Sequence, residues 1–93
     1  DDDDYAKAFE EKIVPALIDY KPEFLLVSAG FDAHLYDPIG GMKVTKAGFT
    51  KMSEDLVQVA KQCCEGKTVY VLEGGYDLKG LQEGVESVFT AIR

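Results

Sequence analysis

Residues 25–34 read LLVSAGFDAH, and the fold turns on how this stretch is read. Its first half is an apolar run of strand length, set off by Pro22 before it and Gly30 after it. Apolar residues fall on both faces, which marks a parallel strand meant to lie between helices. Its second half reaches a carboxylate, Asp32, and the only histidine of the chain, His34. A charge placed directly after a strand built for burial is costly unless something compensates it.

Before that strand, Tyr5, Phe9, Ile13, Ala16, Leu17 and Tyr20 recur at helical spacing, so residues 2 to about 20 predict an amphipathic helix. Pro15 inside it should kink the helix or cost a hydrogen bond. Asp1 to Asp4 suit its solvated entry, where negative charge meets the positive end of the helix dipole. FLLVSAG (24–30) is the first strand, and residues 31–44, with Pro38, Gly40 and Gly41, form a long loop. Loops of that length in compact domains are usually functional. Thr45 can cap a second helix carrying Phe49, Met52, Leu56, Val59, Ala60 and Cys63 on one face and ending at Gly66. TVYVL (68–72) is a second, β-branched strand. Asp77 can cap a third helix with the stripe Leu81, Val85, Val88, Phe89 and Ile92.

The order α–β–α–β–α contains a βαβ unit with two parallel strands. Two strands seldom make a stable sheet, and strands apolar on both faces need neighbours. The expectation is an α/β chain in which residues 1–93 form a single segment, the C-terminal part of a larger domain built on a parallel sheet. Completion by oligomerisation is the alternative. Alone, the segment should fold poorly, since open strand edges and bare apolar faces invite association.

Ten basic residues against seventeen acidic give a net charge of −7, and no Lys or Arg cluster stands out. That argues against nucleic-acid or anionic-membrane partners. No apolar run nears the roughly 20 residues of a membrane span, and no signal peptide is visible. Cys63 and Cys64 are adjacent, a poor geometry for a disulfide, and predict reduced thiols in a cytoplasmic protein.

Ligands of open α/β sheets bind outside the carboxyl ends of the strands. Two loops fall there, GFDAHLYDPIGG (30–41) and EGGYDL (73–78). If the strands are neighbours, Asp32 and Tyr76 share one crevice, and a carboxylate with a phenol suggests a cation ligand and a hydroxyl donor. On spacing alone, an Asp after a strand is more often a turn former or cap than a ligand. Tyr76 suits a packed aromatic with its hydroxyl in water. His34 suits the surface or a supporting position better than ligation, and Asp37 before Pro38 reads as turn chemistry. Gly74 and Gly75 before a helix could cradle an anion, though a bare Gly-Gly is a weak signal. A phospho-acceptor signalling module and a phosphate binder therefore stay open. The first lacks an acidic cluster and a strand-end lysine, the second a glycine-rich phosphate pattern.

Taken together, PEFLLVSAGFDAHLYDPIGGMKVT (22–45) and VYVLEGGYDL (69–78) resemble the C-terminal part of the histone deacetylase superfamily. That group holds zinc-dependent histone deacetylases, acetoin-utilisation proteins and acetylpolyamine amidohydrolases, and EGGY is similar to its class II and bacterial branches. The resemblance implies a three-layer α/β/α sandwich of the arginase/deacetylase kind around a parallel sheet. It implies that Asp32 is one of three protein ligands to a catalytic Zn2+ and that Tyr76 hydrogen-bonds the scissile carbonyl. Ile39, Gly74 and Gly75 would border the acyl-lysine channel. The substrate would be an acetylated lysine or an acetylated small amine, and the remainder of the catalytic domain the implied partner. Three protein ligands leave zinc an open position for water, whose pKa falls toward roughly 7. The D-x-H ligand pair and the histidine pair of the superfamily have no match here, so the segment alone is expected to be inactive.

Overall fold

A computed structural model describes residues Asp1–Arg93. Its elements are α1 (Asp2–Ala8), a π-helical stretch (Phe9–Ile13), α2 (Val14–Tyr20), β1 (Leu25–Ala29), α3 (Lys46–Cys64), β2 (Thr68–Leu72) and α4 (Leu78–Ile92). The two strands pair in parallel, Leu25 opposite Thr68 through Ala29 opposite Leu72. The expected α–β–α–β–α order is present.

The first helix runs on through Pro15 because the turn before it widens. Proline has no N–H to donate, and its ring crowds the carbonyl four residues back. The π-turn, in which Val14 N–H donates to Phe9 O, absorbs this. Asp1 caps the helix reciprocally with Asp4. Asp2 departs from the expected solvated entry, because its carboxylate accepts from the backbone N–H of Thr45 at 2.7 Å and from the Thr45 hydroxyl. It thereby fastens α1 to the start of α3. Tyr20, expected on the apolar stripe, is instead exposed.

Thr45 and Asp77 cap α3 and α4 as their sequence suggests, accepting from Gly48 N and Gly80 N. Leu25, Val27 and Leu17 pack with Leu56, Ala60 and Cys64 of α3 in one cluster. Cys64, rather than Cys63, is the buried thiol, and both cysteines are free. Phe31, Val44 and Phe49 form a second cluster with Ala29, Met52, Leu81, Val85 and Val88 around it. The helices thus cover the strand face carrying Leu25, Val27 and Ala29. On the other face Leu26 is 65% exposed, and Val69 and Val71 beside it are also exposed.

The burial of α4 differs from its apolar stripe. Phe89 and Ile92 are exposed, whereas Gly80, Gly84 and Ser87 are buried. The reason is close approach: small residues let α4 lie against rings from the 31–44 loop. A Cβ on Gly80 would sit 3.1 Å from Cγ of His34, and one on Gly84 would overlap the Phe31 ring. That ring cannot retreat freely, since it meets Phe49 edge-on with centroids 5.2 Å apart.

Gly84→Ala tests this packing. Helix propensity alone would favour alanine by about 1 kcal/mol, but overpacking typically costs about 1–3 kcal/mol. The substitution is expected to lower the urea midpoint of the protein, and a raised midpoint would show that Phe31 has room to move.

Candidate functional site

Two backbone hydrogen bonds carry the strand ladder into the loops at its carboxyl end. Glu73 N–H donates to Ala29 O at 2.9 Å, and Phe31 N–H to Gly74 O at 2.7 Å. They set the segment bearing Asp32 beside the segment bearing Tyr76. The side chains then converge. The point where a Cβ on Gly74 would stand lies 2.8 Å from Asp32 Oδ2 and 3.2 Å from the Tyr76 hydroxyl. Glycine at 74 keeps this space open. Gly75, with φ +147°, occupies backbone that favours glycine and turns the chain toward Tyr76.

Asp32 is half-buried, and its carboxylate takes part in no hydrogen bond or ion pair within the chain. Gly40 packs directly against its main chain, where any Cβ would run into the Asp32 carbonyl. Tyr76 is 59% exposed. No three His, Cys, Asp or Glu side chains gather into a metal-binding cluster. The donor set at this point is one free carboxylate and one phenol.

The neighbouring loop contains two residues whose importance the sequence did not reveal. Asp37, read above as turn chemistry, is only 6% exposed. Its Oδ1 accepts from Ile39 N–H at 2.8 Å and Gly40 N–H at 2.9 Å, and its Oδ2 from Tyr76 N–H at 2.8 Å. The expected turn is there, and the same carboxylate also reaches the tyrosine loop. Ile39 itself is exposed on this loop.

His34 is 2% exposed, not at the surface. Its Nδ1 accepts from Tyr36 N–H at 3.1 Å, which puts the proton on Nε2, 2.9 Å from Glu83 Oε1. The ring stacks on Phe49 at 5.9 Å with an interplanar angle of 12°. Both nitrogens are engaged, so His34 supports the loop and leaves no nitrogen for a ligand. Neither link was visible in sequence, since each joins residues far apart in the chain. The DP pair and the lone histidine were the only signals.

A family model described as the histone deacetylase domain matches residues 1–92. Histone deacetylase 14, chloroplastic, of Arabidopsis thaliana is 43% identical over 84 residues, covering 90% of this chain and 20% of that protein. A probable deacetylase of Archaeoglobus fulgidus is 39% identical over 79 residues, covering 85% of this chain and 22% of that protein. The crystal structure of the HDA15 HD domain matches with a TM-score of 0.89 and 36% identity, over 98% of this chain and 24% of that one. The chain spans about a fifth of the length of these two relatives.

Burial acts to raise the carboxyl pKa of Asp37. The N–H groups of Tyr76, Gly40 and Ile39, with a smaller contribution from His34, outweigh it and hold the pKa below the ordinary 3.8. A carboxyl lowered on folding contributes stability that is complete above its unfolded pKa and fades as pH falls through the folded value. Asp37→Asn is therefore expected to reduce stability at neutral pH, with the gap to wild type narrowing below about pH 4. Urea midpoints across that range check it; a constant gap would mean that the ionised form is not what the three N–H groups hold.

Proposed function

The chain belongs to the histone deacetylase domain family, and from that we propose that it is the C-terminal part of a zinc-dependent deacetylase domain. In this reading Asp32 supplies one of the zinc ligands and Tyr76 the hydroxyl that faces the substrate. The observation that carries it is the convergence of the Asp32 carboxylate and the Tyr76 hydroxyl on the space left by Gly74.

The residues fit such a metal in part. Asp32 offers a half-buried carboxylate with no partner in the chain, which a dication would compensate. One carboxylate is too few for a zinc site, so the other ligands would come from the remainder of the domain. Bound zinc would supply Lewis acidity toward the amide and the attacking water.

The chain's own groups do the rest on this reading. The Tyr76 hydroxyl donates to the amide oxygen and stabilises the charge that grows there, while keeping its own proton. Gly74 leaves room for that oxygen, and Gly75, next to it along the channel border, lets the backbone pass close over Leu81 and Phe31. Ile39 gives the aliphatic part of an acyl-lysine an apolar wall. His34, the one histidine of this chain, does not serve as the general base on this reading, because it is buried with both nitrogens engaged. The segment by itself should hydrolyse nothing. The substrate class is an acetylated lysine or a related acetylated small amine. The bare face of Leu26, Val69 and Val71 would be covered by the rest of the domain.

The full-length protein should hold about one zinc per chain, and Asp32→Asn should lose it. Tyr76→Phe should keep the zinc and lower kcat for an acetyl-lysine peptide on the order of 10²- to 10³-fold. Equal zinc in wild type and Asp32→Asn would remove the metal role of Asp32; an active Tyr76→Phe would remove that of the hydroxyl.

A further inference from the structure

Tyr76 has little to hold its side chain in place. It is mostly exposed, and its hydroxyl forms no hydrogen bond within the chain. The backbone at 76 sets the direction in which the side chain leaves the chain, and so the arc that its hydroxyl can reach. That backbone follows two glycines, one at φ +147°, and such a stretch is the most pliant part of any chain. Something must restrain it if the hydroxyl is to meet a reacting oxygen within hydrogen-bond distance.

Asp37 is placed to do so. One carboxylate oxygen takes the Tyr76 N–H across 39 residues of sequence, and the other takes Ile39 and Gly40. Gly40 in turn rests on the carbonyl of Asp32. The carboxylate of Asp37 is thus a brace whose one end bears on the main chain of Asp32 and whose other end bears on the main chain of Tyr76. The loop that carries it is itself anchored to α4 through His34 and Glu83. We propose that Asp37 is a positioning residue for the deacetylation reaction, fixing the Tyr76 hydroxyl relative to the Asp32 carboxylate. This rests on the functional reading above. Asp37 acts through Tyr76 and touches no reacting atom.

The test is a cycle of Asp37→Asn and Tyr76→Phe in the full-length, zinc-loaded protein. An asparagine has one acceptor oxygen and a donor NH2, so it cannot accept from both sets of N–H groups. Asp37→Asn is expected to lower kcat by up to about 10²-fold, as small misplacements of a reacting group do. KM and zinc content should change little. With the hydroxyl already removed by Tyr76→Phe, the same substitution should change kcat less than about twofold, because groups acting as one unit are not additive. Amide hydrogen exchange at Tyr76 should speed up in Asp37→Asn, a readout independent of turnover.

An unchanged kcat in Asp37→Asn, a full fall persisting in the Tyr76→Phe background, or unaltered exchange at Tyr76 overturns the proposal. If Asp37→Asn does not fold, Asp37→Glu, which keeps the charge and displaces it by one methylene, enters the same cycle. A wild type without hydrolysis, or a Tyr76→Phe variant with wild-type kcat, defeats the functional reading and the positioning role with it. Those two values tell that failure apart from failure of the brace alone.

Discussion

The parallel pairing of β1 with β2 is the constraint on which the candidate site depends. A parallel ladder aims both strands the same way, so the two loops that leave it leave from one edge. Here the ladder does not stop at Ala29 and Leu72. It continues through the bonds of Glu73 to Ala29 and of Phe31 to Gly74, one residue short of Asp32 on one side and two short of Tyr76 on the other. A slip of register by one residue would turn every side chain of the slipped strand to the opposite face and part the carboxylate from the phenol. The geometry around Gly74 is in this sense an extension of sheet geometry.

The long loop between β1 and α3 is fastened at four buried residues. Phe31, His34, Asp37 and Val44 are all buried, and the polar ones among them have partners. Leaving a buried polar group unsatisfied costs about 1–3 kcal/mol, so the bonds made by His34 and Asp37 favour a single arrangement of the loop over its alternatives. Glycine contributes by absence. Gly80 and Gly84 let α4 approach the rings of His34 and Phe31, which closes the loop from outside.

Much of this was legible in the sequence where the signal is local. The strands showed as apolar runs, Thr45 and Asp77 as caps, and the sheet edge bearing Asp32 and Tyr76 followed from strand direction. What stayed hidden is set by distance along the chain. Asp37 looked like a turn residue because its turn is local and its bond to Tyr76 is not. His34 gave no hint of Glu83, 49 residues on. The buried line of α4 was obscured because small residues at 80, 84 and 87 read as gaps in an apolar stripe, although tight packing needs such gaps. Asp2 was assigned to solvent by its neighbours Asp1 and Asp3, yet tertiary contact with Thr45 gives it a partner.

Every donor that Asp37 engages is a main-chain N–H. Side-chain identity at 39 and 76 can therefore drift without cutting the bonds, since every amino acid but proline carries that group. Vulnerability is concentrated in the one carboxylate, in proline at 39 or 76, and in any side chain at 40, where a Cβ would run into the Asp32 carbonyl. Position 39, whose side chain is exposed, is thus free to vary in size and polarity while the frame beneath it stays fixed.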